Sequence, residues 1–140
     1  MNSQDLLKIY AQSPQVKALA DVMGKKSVKT VFLEGLMCSS APMVFGSLAS
    51  KAKAPTTLFI LQDAEEAGYF YHDLCQIMGD KQVFFFPSSY KRAIKYGQKD
   101  PASEILRTEV LSHATHYNLL YIVTYPEALA EMVVTRKQLD

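Results

Sequence analysis

The chain has 140 residues, 49% of them apolar and 21% charged, and a formal net charge of +1 at pH 7. That balance describes one globular domain with a hydrophobic core and excludes a disordered or fibrous chain. It also excludes a global field that would draw in nucleic acid, an anionic membrane or an acidic partner, so binding of that kind needs a local patch.

Residues 1–27 read as a helical lead-in of two short helices. The second has Ser13 as N-cap, Pro14 at its first position, then Val16, Leu19, Ala20 and Met23 on one face and Gly24 at its close. Val31, Phe32 and Leu33 run together without alternation, which predicts a first strand over 28–33 covered on both faces. After a turn over 35–41, Met43, Val44, Leu48 and Ala52 fall at helical spacing across 42–54, and Lys51, Lys53 and Pro55 mark the stop. Residues 56–61 follow as a second apolar strand. Asp63 and Glu66 then form a capping-box pair that opens a helix running to about Met78, with Gly79 as its cap.

A third strand is predicted over 82–86, followed by an irregular, basic stretch over 87–99. Asp100 and Pro101 start the next helix, whose apolar residues are Ile105, Leu106, Val110, Leu111 and Ala114 and which reaches about His116. A fourth strand over 119–123 precedes a last helix from Pro126 through Leu129, Met132 and Val133. Four strands alternating with helices imply βαβ crossovers, hence a single α/β domain over 1–140 with a mainly parallel sheet and helices on both faces.

The turn after the first predicted strand is where an α/β sheet usually holds phosphate. Laid on the nucleotide-binding spacing G-x-x-x-x-G-K-[ST], Gly35 takes the first glycine, but Ser40, Ala41 and Pro42 take the second glycine, the lysine and the hydroxyl position. Ser40 disfavours the backbone angles that wrap amides round a phosphate. Ala41 supplies no ammonium, and Pro42 supplies neither a hydroxyl for magnesium nor an amide donor. The loop of Gly35, Ser39, Ser40, Ala41 and Pro42 therefore reads as a vestigial phosphate loop: no cofactor, no metal and no catalytic residue is expected.

Three sets of residues, read in order, carry a family resemblance. They are Val31-Phe32-Leu33-Glu34-Gly35-Leu36; Thr57-Leu58-Phe59-Ile60-Leu61 with Asp63-Ala64-Glu65-Glu66-Ala67; and Phe85-Phe86-Pro87-Ser88. The loop over 90–100, Ser103-Glu104-Ile105-Leu106-Arg107 and Leu120-Tyr121-Ile122-Val123-Thr124-Tyr125-Pro126-Glu127-Ala128-Leu129 continue that order. From about Leu6 onward the chain resembles the N-terminal region of the bacterial transcription-repair coupling factor (Mfd) family. The resemblance implies a fold similar to the first domain of the excision-repair protein UvrB, a helicase-like fold whose nucleotide residues have decayed. It further implies the opening segment of a longer protein, ending after Val133-Val134-Thr135 about where an inserted domain that recruits UvrA begins. The ATP-driven DNA translocase and the RNA polymerase-binding module of that family lie further along. What the resemblance implies for this segment is a non-catalytic scaffold in transcription-coupled nucleotide excision repair, with UvrA, RNA polymerase, DNA and the other domains as partners of the whole protein.

Other residues carry competing readings. Lys91, Arg92, Lys95 and Lys99 alternate with Tyr90 and Tyr96, the pattern of a loop that grips a nucleic-acid strand, or else of a solvated loop near a strand end. The near-neutral chain favours the solvated loop. His72, His113 and His116 lack a carboxylate or thiol at metal-ligand spacing and read as surface or structural groups. Cys38, at a helix start, has no histidine base beside it in the sequence and is read as packing. Tyr69, Phe70 and Tyr71 and the run Phe84 to Phe86 read mostly as core.

Two cysteines, no zinc spacing and no run of roughly 20 apolar residues lead to the expectation of a cytoplasmic protein without membrane contact. Two alternatives to the scaffold stay open. One is a small nucleotide- or phosphate-binding enzyme using the loop amides alone, and the other is a single-stranded DNA-binding module using residues 90–99.

Overall fold

In the computed structural model, which describes residues 2–49, 56–90, 99–117 and 119–139, a capping box opens the first helix. The Asn2 side chain accepts from the Asp5 amide at 2.9 Å, and the Asp5 carboxylate accepts from the Asn2 amide at 3.2 Å, which satisfies two donors that the helix leaves free. This helix, α1 (Ser3–Gln12), is followed by α2 (Pro14–Met23), with proline at its first turn as expected. The Ser13 hydroxyl bonds Gln15 at 2.6 Å instead of capping the helix amides. Val16 and Leu19 of α2 bury against Val44 and Leu48 of α3 (Ser40–Ala49). At Gly46 an added Cβ would stand 2.6 Å from Cγ2 of Ile77 and 3.3 Å from Cδ2 of Leu7, so only glycine allows α3 to lie this close to its neighbours. Helix α3 begins two residues before the predicted start at Pro42, and the predicted residues 50–54 fall outside the described residues.

Residues 28–33 depart from the prediction. They form no strand, and Phe32 is 83% exposed. An unalternating apolar run becomes a strand only where a neighbouring strand pairs with it, and among the described residues none pairs with this one. Among the described residues the sheet has three strands, not about four: β1 (Thr57–Ile60), β2 (Val83–Phe85) and β3 (Tyr121–Thr124), in the order β1-β3-β2. Both pairings are parallel, with Phe59 and Phe85 each in register with Val123. The central strand is the most buried, its Val123 and Thr124 fully enclosed.

Alternation along the strands sends side chains to two faces. On one, Phe59 meets Phe70 at 5.0 Å between ring centroids and Phe45 at 5.2 Å, while Phe85 meets Tyr71 at 5.4 Å. Phe70 and Tyr71 belong to α4 (Ala64–Met78), which starts where Asp63 accepts from the Glu66 amide at 2.9 Å and ends at Gly79, whose φ of +83° a side chain would resist. On the other face, Phe84 stacks on His113 at 4.8 Å and Phe86 lies under Arg107, both from α5 (Pro101–His116). Helices thus flank a parallel sheet on both faces, an α/β fold.

Two helical predictions change in detail. Ile105 is 67% exposed and Leu106 is exposed as well, while α5 buries Arg107 and Val110. The last helix stops at Leu129 as α6 (Pro126–Leu129), Met132 is 97% exposed, and a short α7 (Arg136–Leu139) follows. No helix of the described residues is long and apolar enough to cross a membrane.

Candidate functional site

Parallel strands aim their carboxyl ends, and the loops that follow, at the region where ligands bind in open α/β sheets. Two polar sites lie beyond those ends. One contains the predicted phosphate loop and the other contains residues that the sequence did not single out.

The loop over 35–42 reverses the chain through two left-handed positions, Gly35 at φ +78° and Cys38 at φ +50°. Glycine adopts that conformation freely, whereas Cys38 holds it against its own Cβ. Since residues 28–33 form no strand, the loop enters from irregular chain, and Ser40, Ala41 and Pro42 are already the first turn of α3. Ser39 donates its hydroxyl to Asp73 Oδ2 at 2.6 Å, which ties the loop to α4, and the Ser40 hydroxyl is buried without a partner. Cys38 is exposed, so the reading of it as packing is corrected.

Between this loop and α4 lies a cleft of about 600 Å³, lined by Cys38, Ser39, Leu61, Glu66, Tyr69 and Asp73 among others. Among the described residues its charged groups are carboxylates, and no lysine, arginine or histidine lines it. A phosphate entering here would face Glu66 and Asp73 with no compensating cation among the described residues, and each like charge within several ångströms opposes it.

Beyond β2 and β3 the chemistry is different. Arg107, 6% exposed, lays its guanidinium 4.2 Å over the Phe86 ring and donates from Nη1 to the carbonyls of Pro87 at 2.8 Å and Ala128 at 3.0 Å. Glu131 comes back to the same place. Its carboxylate accepts from the Ser88 hydroxyl, from the Ser89 hydroxyl at 2.6 Å and from the Ser89 amide at 3.1 and 3.0 Å, and it stands 3.6 Å from Arg107 Nη1. Burial pushes the Glu131 pKa up, but these hydrogen bonds and the Arg107 charge outweigh it, and the net shift is downward. The turn is held from below as well, by the Ser88 amide donating to the Tyr125 hydroxyl at 2.8 Å. Arg107 Nη2 is buried and has no hydrogen-bond partner among the described residues, a state that costs roughly 1–3 kcal/mol.

A sequence signal for this site existed in part. Arg107 stands in the same helical stripe as Val110, Leu111 and Ala114, and a charge there demands a buried counter-charge. Nothing in the sequence marks Glu131, which is 24 residues further on in irregular chain, as that partner.

The remaining candidates are dispersed. Lys91, Arg92 and Lys95 lie outside the described residues. Lys99 is paired with Glu104 at 3.1 Å, so its charge already has a partner. His113 stacks between Phe84 and Tyr117, and His116 Nδ1 lies 2.8 Å from the Ser112 carbonyl. Burial raises the pKa of the Cys75 thiol, and burial together with a hydrogen bond to Cys75 raises that of Tyr71 to about 12, so neither ionises near neutrality. Among the described residues no three His, Cys, Asp or Glu side chains converge as metal ligands.

Comparison of the chain with protein-family models, with curated proteins and with solved structures finds no match.

Proposed function

We propose that this chain is a non-catalytic scaffold and interaction domain, the role implied by its resemblance to the N-terminal region of the transcription-repair coupling factor family. In that reading it belongs to a cytoplasmic protein of transcription-coupled nucleotide excision repair. It supports the adjoining insert that recruits UvrA and packs on the domains of an ATP-driven translocase, and it has no reaction of its own.

The observation that carries the reading is the chemistry of the 35–42 loop. Where a nucleotide-binding loop has its second glycine, lysine and hydroxyl, this one has Ser40, Ala41 and Pro42, and the cleft beside it presents Glu66 and Asp73. The same carboxylates weigh against a phosphate-binding enzyme at this loop. For single-stranded DNA binding over 90–99, the pairing of Lys99 with Glu104 removes one of the four cations from the argument.

Isothermal titration of the chain with magnesium ATP tests the proposal, and the expected result is no saturable heat. Saturable binding with a micromolar dissociation constant, abolished by Asp substitution of Ser39, would overturn it.

A further inference from the structure

The clasp around Glu131 has more donors than its occupant uses. The Ser88 hydroxyl, the Ser89 hydroxyl and the Ser89 amide converge on one point, and a buried arginine stands behind it. An arginine recognises an oxyanion best through two parallel N–H bonds from its planar fork. Glu131 does not receive them: Nη1, held by the Pro87 and Ala128 carbonyls, is 3.6 Å from its carboxylate, outside hydrogen-bond range, and Nη2 on the same guanidinium carbon is buried without a partner among the described residues. A flat carboxylate whose two oxygens already serve the serine turn has no further oxygen to offer that nitrogen. A tetrahedral oxyanion has.

We propose that the Ser88-Ser89 turn and Arg107 form a binding site for a phosphate group, and that Glu131 is its internal, displaceable occupant. The phosphate takes the two serine hydroxyls and the Ser89 amide with two of its oxygens, and a third oxygen takes Nη2 of Arg107, the two Nη1 hydrogens remaining on the Pro87 and Ala128 carbonyls.

Three features of the surroundings suit that exchange. A cavity of about 300 Å³, lined by Ser89, Arg107, Thr108 and the mutually paired Lys99 and Glu104 on its polar side and by Leu111 and Met132 to Val134 on its apolar side, adjoins the clasp and gives a small phosphate monoester access to it. Helix α6 ends at Leu129, and residues 131–135 are in neither helix nor strand, so Glu131 swings out without breaking a helical turn. The serine turn itself stays in place, since the Ser88 amide is held by Tyr125 and the Ser89 carbonyl accepts from the Asp100 amide at 2.7 Å. The inference concerns a different site from the 35–42 loop and does not rest on the scaffold reading.

The test uses the full chain, inorganic phosphate as probe and chloride at equal ionic strength as control. In the wild type, Glu131 competes, and binding is weak. In Glu131→Ala the clasp is vacated, and phosphate binds about tenfold more tightly or better, because the competent state no longer has to be released. Adding Ser88→Ala and Ser89→Ala to that variant abolishes the gain. If Glu131→Ala does not fold, titration of the wild type with phosphate while following the Ser88 and Ser89 amide resonances serves instead, and saturating shifts at both are expected. Phosphate binding equal in Glu131→Ala and the triple variant, or amide resonances that do not move, would mean that the clasp is purely structural. A response to a short single-stranded oligonucleotide without one to inorganic phosphate would also overturn the proposal.

Discussion

Arg107 sits where an apolar side chain would be the simpler choice, and its environment repays the burial of its charge only in concert. Its guanidinium lies over the Phe86 ring, two carbonyls take Nη1, and Glu131 supplies the opposite charge. Glu131→Gln keeps the shape and removes that charge, leaving the guanidinium uncompensated and the serine donors on a weaker acceptor. A loss of about 2 kcal/mol in urea unfolding at neutral pH is expected. The pH dependence follows from the direction of the shift. The folded pKa of Glu131 lies below its unfolded value of about 4.3, so the stabilisation is fully present above that value and is lost as pH falls through the folded one. The stability gap between wild type and Glu131→Gln should therefore be constant from about pH 7 to pH 5.5 and shrink below about pH 4. The absence of any gap at neutral pH would show that Glu131 acts by shape and not by charge, and a gap that persists unchanged under acid would show that the lost charge is not its source. Half of this clasp was visible in the sequence as a charge inside an apolar stripe. The other half was not, because the pairing is made by tertiary approach over irregular chain.

At the scale of elements, the readable ones were those with local punctuation. The helix α4 carries its start at Asp63 and its stop at Gly79, and β1, β2 and β3 each lie inside apolar runs between turn residues. The run over 28–33 has equally strong apolar character but no such outcome, because a strand is not a local structure: it exists only with a partner edge. Residues 131–133 failed as helix for a related reason. Met132 and Val133 continue the spacing of Leu129, yet Glu131 is drawn to the Ser88-Ser89 turn and the helix stops. The first of these differences yields a measurement. Phe32→Ser alters a side chain that is 83% exposed, and its cost in thermal or urea unfolding should be within about 0.5 kcal/mol. A strand covered on both faces would lose about 3–5 kcal/mol from the removal of a buried phenylalanine ring. A loss of that size would place residues 28–33 in a core.

The whole molecule joins a large core to smaller ones. Around the sheet, Phe59, Leu74, Val83, Phe86, Val110 and Val123 belong to one continuous cluster shared by β1–β3, α4 and α5. The lead-in is attached by less: Val16 and Leu19 of α2 meet Val44 and Leu48 of α3, and Leu7 of α1 meets Met43 and Ile77. Because opening free energy scales with the apolar contact given up, α2 should leave the body before the sheet unfolds, and its amides should exchange through that lower-energy opening. Two substitutions separate this hierarchy from all-or-none unfolding. Val123→Ala weakens the sheet equally whether α2 is docked or not, so it should lower the protection of β3 amides by about 2 kcal/mol, roughly thirtyfold in exchange rate, and leave α2 amides unchanged. Leu19→Ala destabilises only states with α2 docked, and it should lower the protection of α2 and β3 amides alike. Native-state hydrogen exchange at low urea reads both. If Val123→Ala speeds exchange in α2 as much as in β3, the lead-in opens only with the whole domain, and the small clusters bind it more firmly than their burial indicates.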